Sequence, residues 1–362
     1  MSPEPTDLTD ERLALRDSVR ALLARESDSA RVRAAAASPA GFDRALWTRL
    51  CTGIGVAGLG IPEEYGGLGA GLSEVAVVQA ELGRTLTPGP MLGSAVLAAR
   101  AVLAAGDEPA RRRLLPGIAA GRTVAALAWV GPDGRWSPDE AACAAGPTST
   151  VDWTVTGTAH YVLDGAAADL LVVVAQTGDG PALFEVDPGQ PGVHRERTPA
   201  LDPTRHLATV RFSGAAGRRL GGAEHLDRVR DVACAALAAE QAGTARRCLE
   251  LTVAYTKERV QFGRPLASFQ ALKHRMADLH VLVETAESAA LAAATAADLP
   301  RAAAVAKIYC ADALSTVAGE MIQLHGGIAI TWEHDAHLYF KRAHGGAQLF
   351  GHPREHLARL SP

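Results

Sequence analysis

The sequence is poor in cysteine, and its cysteines are not arranged as pairs or as ligands. Five cysteines are scattered over 362 residues, an odd number with no Cys-x-x-Cys spacing. This pattern is typical of neither a disulfide framework nor a cysteine-rich zinc site. The stretch "EHDAH" (Glu333–His337) has metal-binding residue types, but it lacks the His-Glu-x-x-His order and an evident third ligand. We therefore expect a reduced, cytoplasmic protein without a metal site.

The sequence also lacks an excess of basic charge and a long apolar run. Its 36 Lys and Arg residues face 40 Asp and Glu residues, so the net charge is -4 and there is no electrostatic footprint for nucleic acid. Its Ala-rich stretches are interrupted by Glu, Thr and Asp before they reach the length of a membrane span. Its first residues, "MSPEPTDLTDERLALRD", are too acidic and polar for a secretory signal. We expect neither nucleic-acid binding nor a membrane span.

What the chain does contain is three regions with different periodicity. A length of 362 residues is too great for one compact core, so two or three domains are expected. Residues 1–120 have apolar residues at helical spacing, residues 121–221 contain short strand-like runs, and residues 222–362 contain about four long helical patterns. The prediction is an α+β chain with an N-terminal helical domain, a small antiparallel β domain and a C-terminal four-helix bundle.

Two details of the β region can also be predicted. The stretch "DWTVTGTAHYVLDG" favours two short strands around Thr156-Gly157, since Gly commonly marks a turn. In "LDPTRHLATVRF", the charged residues Asp202 and Arg205 follow Pro and Thr signals, and we expect them to stabilise a turn of the β domain.

The helical pattern of the last region contains an unexpected break. The stretch "ERVQFGRPLASFQALKH" (Glu258–His274) inserts Gly and Pro, which interrupt helices. Taken alone, this break would be a helix end with a surface Arg and a core Phe. Its residues, however, resemble the acyl-CoA dehydrogenase signature Arg-x-Gln-Phe-Gly-x-Pro-x-x-x-Phe-Gln-x-x-x-His. The matching residues are Arg259, Gln261, Phe262, Gly263, Pro265, Phe269, Gln270 and His274.

Three further segments resemble the same family and follow its order. The block "QLHGGIAITWEHDAHLYFKR" (Gln323–Arg342) is similar to its C-terminal Gln-x-x-Gly-Gly block. "PEEYGGLG" (Pro62–Gly69) resembles its N-domain loop, and "YVLDGAAADLLVVVAQ" (Tyr161–Gln176) resembles its middle-domain strand pair. The resemblance covers nearly the whole chain. It implies the family's fold and its activity, the α,β-dehydrogenation of an acyl-CoA thioester, with electron-transfer flavoprotein or a similar protein as acceptor.

The resemblance also implies a cofactor, FAD, held between subunits. In this family the Arg and Phe of the signature reach a neighbouring subunit's FAD, with the Gln and Gly-Gly of the second block alongside. Arg makes charge-assisted hydrogen bonds to phosphate, Phe offers an apolar face to a ring, and Gly-Gly lets backbone N–H groups approach closely. An aromatic residue in the family's Trp-x-Thr segment can stack. The implied cofactor-binding residues are Arg259, Gln261, Phe262, Gln323, Gly326, Gly327 and Tyr161.

The family's catalytic base has no counterpart at the usual place. Removal of an α-proton needs a carboxylate, because His or Lys would have to be placed and tuned unusually to do the same work. The family's Glu matches Phe350, or Gly351 with a one-residue shift, and its alternative position on the first bundle helix matches Ala233. None of these accepts a proton. Glu240, one turn before Gly243, is a weak candidate for a displaced base, and a polar helix contact is the simpler interpretation.

The residues for the chain's own flavin are weakened as well. The family's hydroxyl-bearing middle-domain loop reads "LAWVGPDGRWSPDE" here, with no hydroxyl before Ser137, and Leu163 stands where a Thr is expected. The chain thus keeps the residues that reach a partner's FAD. This pattern resembles the short base-less subunits of heteromeric actinobacterial acyl-CoA dehydrogenases, which act on CoA esters of sterol side chains. It implies an α2β2 assembly with a homologous subunit.

Two other interpretations stay open at this point. The chain is alternatively a self-sufficient homomeric flavoenzyme, either a dehydrogenase with a relocated base such as Glu240 or an oxidase or monooxygenase of secondary metabolism. From a different class, it is a non-catalytic scaffold that binds a CoA ester or a partner and no flavin. Flavin content distinguishes the scaffold from the other two interpretations.

Overall fold

Side chains that cap helix N-termini organise the first part of the fold. The computed structural model describes residues 9–137, 140–148 and 152–360. The side chain of Asp43 accepts hydrogen bonds from two backbone amides of the helix that it starts, and Asp28 and Asp107 each accept one such bond at the start of their helices. The helices are α1 (Asp10–Glu26), α2 (Ser29–Ala37), α3 (Arg44–Gly53), α4 (Leu72–Thr85), a π-helical segment (Met91–Ala98), α5 (Ala99–Ala105) and α6 (Glu108–Ala119).

The middle of the chain forms a small barrel. Its strands are β1 (Ala125–Ala128), β2 (Cys143–Pro147), β3 (Asp152–Leu163), β4 (Leu170–Thr177), β5 (Gly180–Val186), β6 (Val193–Arg197) and β7 (Leu207–Gly222). Pairings β4–β2, β2–β3, β3–β7, β7–β5 and β5–β4 close a ring, and β6 pairs with β7. The sheet was predicted to be antiparallel. It is mixed, because β4 pairs with β1 and β2 in parallel.

The prediction of two short strands around Thr156-Gly157 is wrong. The chain continues through this point as one twelve-residue strand, β3, whose register against β7 shifts between Val155 and Thr156. Gly157 has φ 128°, and a Cβ there would lie 2.7 Å from the Cα of Cys143. The glycine therefore serves a β-bulge with a close strand contact, a role that sequence does not distinguish from a turn.

The last region is a helical bundle, as predicted. Its long helices run antiparallel in sequence order, and a two-stranded hairpin joins the first to the second. The elements are α7 (Leu226–Glu258), β8 (Val260–Gln261), β9 (Arg264–Pro265), α8 (Gln270–Thr295), α9 (Leu299–His325), α10 (Ala336–Gln348) and α11 (Pro353–Leu360).

Two glycines allow α4 of the N-terminal region to pack directly on α7 of the bundle. A Cβ on Gly83 would lie 2.3 Å from the carbonyl oxygen of Glu240, and a Cβ on Gly243 would lie 2.2 Å from that of Ala80. The helix backbones thus meet without side chains between them. This contact fixes the part of α7 that carries Glu240.

One hydrophobic core runs through all three regions. It includes Leu50 from α3, Leu127 from β1 and Leu237 from α7. The domain limits 1–120, 121–221 and 222–362 remain predictions, since the packing is continuous across them. Over the residues described, no helix is long and apolar enough to cross a membrane.

Candidate functional site

The break after α7 is a tight hairpin that exposes an aromatic ring. Phe262 and Gly263 form its turn with φ 54° and 73°, and strands β8 and β9 pair on either side. The side chain of Phe262 is 89% exposed. The guanidinium of Arg264 lies 3.9 Å from the ring centre of Phe269, which fastens the hairpin to the start of α8. An apolar ring is therefore held out in solvent by a rigid turn.

Arg259 has a fixed backbone and a free side chain. Its amide donates to the carbonyl of Tyr255 at 2.8 Å, and its own carbonyl accepts from Leu266 at 2.8 Å. Among the residues described, none forms a hydrogen bond or ion pair with its guanidinium, which is exposed. The side chain of Gln261 is also exposed, and its amide nitrogen donates to the neighbouring carbonyl of Val260 at 2.9 Å. The Arg259 guanidinium and the Gln261 side-chain amide are thus exposed at the hairpin and available to a ligand.

The second sequence block lies beside the first. Helices α7 and α9 finish at the same end of the bundle, where the ring of Tyr255 stacks on that of His325 at 4.3 Å. The Tyr255 hydroxyl also donates to the carbonyl of His325 at 3.2 Å. Gln323, Gly326 and Gly327 are exposed here. The structure therefore brings together six of the seven predicted cofactor-binding residues on one surface, the bundle-end surface (Arg259, Gln261, Phe262, Gln323, Gly326 and Gly327).

This surface has the chemistry that a dinucleotide requires. Gly326 has φ 67° and ψ -148°, a conformation open to glycine alone, and no atom lies within 4 Å of a Cβ built on Gly327. Exposed backbone amides, an unpaired guanidinium and an exposed ring suit phosphate groups and an adenine or flavin ring. The residues present fit FAD approached from outside the chain.

The side chain of the seventh predicted residue, Tyr161, makes contacts within its own chain. Its backbone has φ 54°, and its hydroxyl donates to the carbonyl of Pro132 at 3.1 Å. Its ring lies against Gly134 of the same loop. Leu163, two residues later, is buried and offers no donor. The loop that contains Pro132 and Gly134 is thus held by the chain's own tyrosine, and the stacking role of Tyr161 stays a prediction.

Three aromatic rings fill the place where the sequence match puts the catalytic base. The ring of Phe350 is 0% exposed and meets Trp136 edge-on at 4.9 Å, and Trp136 meets Trp129 in the same way at 5.3 Å. The carbonyl of Trp136 accepts a hydrogen bond from Arg230 at 2.9 Å. We call Trp129, Trp136 and Phe350 the aromatic cluster. All three rings belong to the packed hydrophobic core, and none of the described residues places a carboxylate in the contacts between them.

The backbone beneath the aromatic cluster is fixed by buried polar groups. Phe350 has φ 60°, and its carbonyl accepts from Nε2 of His356 at 2.9 Å. Nζ of Lys307 donates to the carbonyls of Gly346 and Ala347 at the end of α10. Burial lowers the pKa of Lys307 to about 8 and that of His356 to about 4. Both groups support the turn into Phe350 rather than open a route to it.

Glu240 is a buried ion-pair residue and not a free carboxylate. Its Oε1 forms a short ion pair with Arg205 and lies 3.5 Å from Nη1 of Arg342. The prediction that Arg205 stabilises a β-domain turn is wrong, because its side chain crosses to α7. Asp202 does stabilise that turn, since its Oδ1 accepts from the amide of Thr204 at 2.9 Å. These contacts join the barrel, α7 and α10.

Sequence reasoning missed this ion-pair group, the aromatic cluster and the buried Lys307. One signal was available: single charged residues inside long apolar runs, "AALAAEQAG" around Glu240 and "AAAVAKIYCADAL" around Lys307. A charged residue in such a run is almost always paired when it is buried. Its partners are not recoverable from sequence. No group of metal-ligating side chains occurs in the described part of the chain.

Comparison with known proteins identifies relatives over nearly the whole length. The model of the acyl-CoA dehydrogenase N-terminal domain matches residues 9–122, and that of the C-terminal domain matches residues 231–352. The chain is 45% identical to the acyl-CoA dehydrogenase IpdE2 of Mycobacterium tuberculosis, over 97% of this chain and 96% of that protein.

Two solved structures are similar in fold and in sequence. A variant of the Tcur3481–Tcur3483 steroid ACAD has a TM-score of 0.87 and 33% identity, over 97% of this chain and 96% of the other. The ChsE4–ChsE5 complex from Mycobacterium tuberculosis has a TM-score of 0.88 and 28% identity, over 98% and 97%. The predicted layout of helices, β domain and bundle is thereby confirmed.

Proposed function

Since this chain belongs to the acyl-CoA dehydrogenase family, we propose that it is the subunit that completes a homologous partner's FAD site without supplying the catalytic base. Enzymes of this family are FAD-dependent oxidoreductases that introduce an α,β double bond into acyl-CoA thioesters. In this proposal two related chains supply different parts of one active site: this chain completes the FAD site, and its partner supplies the base.

The aromatic cluster is the observation that carries the proposal. A flavin ring and a thioester need open space next to a carboxylate. Here Phe350 is fully buried against Trp136, and Tyr161 is bonded to its own loop. The bundle-end surface, in contrast, exposes Arg259, Phe262 and the glycine pair. One half of a flavin site is thus filled and the other half is open.

Each residue of the open half has a specific task in this proposal. When bound, FAD supplies the acceptor for the hydride that leaves the β-carbon of the thioester. The Arg259 guanidinium would neutralise its pyrophosphate, and Phe262 would cover a ring face. Gly326 and Gly327 donate backbone N–H groups without steric hindrance. The α-proton goes to a carboxylate of the partner subunit, because Phe350, Gly351 and Ala233 offer none.

The similar proteins suggest the substrate class and the partner. Two of the solved relatives are heteromeric, and one is described as a steroid ACAD. We propose a CoA thioester of a steroid-derived acid as substrate and a homologous acyl-CoA dehydrogenase subunit as partner in an α2β2 assembly. An electron-transfer flavoprotein or similar acceptor would reoxidise the flavin. A cytoplasmic location belongs to the same proposal.

The self-sufficient alternative with Glu240 as base has no support in the geometry. Glu240 is enclosed by Arg205 and Arg342, and the cavity beside it has a volume of about 30 Å³. That volume accommodates one or two water molecules and no acyl chain. The scaffold alternative predicts a complex without flavin, which an absorbance spectrum detects directly.

Replacement of Arg259 tests the role of the bundle-end surface. Arg259→Ala removes a charged donor worth roughly 1.5–3 kcal/mol, so FAD affinity of the assembled oligomer should fall roughly ten- to a hundredfold. Arg259→Lys should restore only part of the affinity, because Lys keeps the charge and loses the planar fork. The measurement is a flavin-retention titration on wild type and both variants.

The matched control for this titration is Arg301→Ala. Arg301 is also exposed and lies near the other end of α9 from the glycine pair. It should retain FAD like the wild type, and none of the variants should change the unfolding temperature of the flavin-free protein appreciably. Equal retention in Arg259→Ala and Arg301→Ala would show that Arg259 does not touch the cofactor.

A further inference from the structure

A small polar cavity lies where the three regions of the chain meet. Its volume is about 30 Å³. The side chains that line it come from α4, the end of β3, the segment before β7, α7 and α10, and the π-helical segment closes one side. The polar ones used below are Gln79, Asp164, Arg205, Glu240 and Arg342, and Gly93 belongs to the π-helical segment.

Several polar atoms at this cavity have no hydrogen-bond partner. Nε2 of Gln79, Nε of Arg205 and Nε of Arg342 are buried and make no hydrogen bond in the part of the chain that the structure describes. Of the three, Nε of Arg342 does lie 3.4 Å from Oδ2 of Asp202 as an ion pair. These side chains belong to residues that are 1%, 8% and 5% exposed. The carboxyl group of Asp164 likewise has no hydrogen bond among the described residues. A buried donor left unsatisfied costs about 1–3 kcal/mol, so this many at one place requires a compensating partner.

Asp164 is held in the cavity wall by an unusual backbone. It has φ 57°, a left-handed conformation that favours Gly, Asn and Asp. Its Oδ2 lies 2.5 Å from the position that a Cβ on Gly93 would occupy. Only a glycine at position 93 leaves room for this carboxyl group. π-Helical turns frequently occur at functional sites.

The charges around the cavity decide what can occupy it. Arg205 and Arg342 carry two positive charges, and Glu240 and Asp202 carry two negative charges within ion-pair distance of them. There is no surplus positive charge to hold an anion, and the unpaired atoms are mostly N–H donors that a cation would not choose. A space of about 30 Å³ is enough for one or two water molecules.

We propose that this cavity is a binding site for one or two ordered water molecules. The water accepts hydrogen bonds from Nε of Arg205, Nε of Arg342 or Nε2 of Gln79, and it donates to the carboxyl group of Asp164. It thereby joins the N-terminal helices, the barrel and the bundle through one hydrogen-bonded centre. This proposal does not depend on the proposed subunit role of the chain.

Asp164 makes the centre sensitive to pH. Although part of the residue is accessible, burial of its carboxyl group raises its pKa to about 7, against the lowering effect of Arg205 and Arg342. A raised pKa means that the folded chain holds this proton more tightly than the unfolded chain. The stability it contributes is complete below about pH 4 and is lost as the pH rises through about 7. The charged or titratable groups at this centre are Arg205, Asp202 and His206 from the barrel, Glu240 from α7 and Arg342 from α10.

A crystal structure and a pair of stability curves test the proposal. In crystals of the full chain, with the partner it purifies with, we expect water density within 3.2 Å of at least two of the named nitrogen atoms. A cavity without density, or one filled by a rearranged side chain, would overturn the water site. A density too large for water would assign the cavity to another ligand and would equally contradict the proposal.

The stability curves compare the wild type with Asp164→Asn. Asn tolerates the left-handed backbone and cannot ionise, so the variant should lose less stability than the wild type between pH 5 and pH 8. Asp278→Asn, an exposed change on α8, should follow the wild-type curve. Asp164→Gly serves if the Asn variant does not fold, because Gly also adopts this conformation. Curves that stay parallel for wild type and the Asp164 variant would refute the role of this carboxyl group.

Discussion

Phe350→Ala should lower the free energy of unfolding by roughly 3–5 kcal/mol, the usual cost of truncating a buried Phe. The ring is fully buried against Trp136, which packs on Trp129, so its removal opens a cavity among large rigid groups that cannot close it. The left-handed backbone of residue 350 is unfavourable for Phe and Ala alike and cancels in the comparison. Urea unfolding followed by tryptophan fluorescence measures the change.

The same substitution at an exposed ring provides the control. Phe262→Ala, at 89% exposure, should change unfolding stability by no more than about 0.5 kcal/mol. Phe350→Glu introduces a carboxylate at the family's position, but this carboxylate would be buried against the indole ring of Trp136. We expect a destabilised chain with no gained activity. A stable Phe350→Glu chain that oxidises an acyl-CoA on its own would show that the aromatic cluster does not exclude flavin and substrate.

Glu240→Gln should destabilise the protein by roughly 3–5 kcal/mol while turnover per bound flavin in the assembled enzyme stays unchanged. The substitution removes the carboxylate charge between Arg205 and Arg342 and leaves Asp202 as the remaining acidic group in ion-pair distance of the two buried guanidinium groups, among the residues described. An uncompensated buried charge is the main cost. Chemical unfolding and steady-state turnover, both at fixed protein concentration, give the two quantities.

Glu284→Gln is the matched control for this change. Glu284 pairs with Arg246 at 2.5 Å, but its side chain is 54% exposed, so the pair should contribute at most about 1 kcal/mol. Loss of turnover in Glu240→Gln at full flavin occupancy would return Glu240 to the list of candidate bases. A stability change no larger than that of Glu284→Gln would mean that the ion-pair group is not buried in solution.

Local sequence patterns were enough to predict the order of helical and strand regions, but not how the strands pair. The change from helical to strand periodicity and back gave the order of the three regions, and the break at Glu258–His274 is a real hairpin. The error at Gly157 arose because a bulge and a turn use the same residue. The parallel pairing of β4 with β1 depends on contacts far apart in sequence, and no local signal announces it.

The candidate site could be predicted only where it resembles a linear motif. Arg259 and Phe262 lie three residues apart, so the motif is visible in the sequence. Only its position beside the Gly326-Gly327 block depends on the fold, through the contact of Tyr255 with His325. The filled half depends on distant residues: Trp136 meets Phe350 through the packing of the barrel on the bundle. Arg205 bonds to Glu240, which lies 35 residues further along the chain. Which way the Arg205 side chain points therefore depends on where α7 packs and not on the local turn that contains Arg205.

Flavin content with and without the homologous subunit tests the division of labour most directly. The chain would be purified alone and after co-expression with that subunit, and the FAD released by heating would be counted per polypeptide. We expect little or no flavin and no acyl-CoA oxidation from the chain alone, and one FAD per pair of subunits with activity from the complex. A chain that purifies alone with one FAD per polypeptide and oxidises an acyl-CoA would contradict this division.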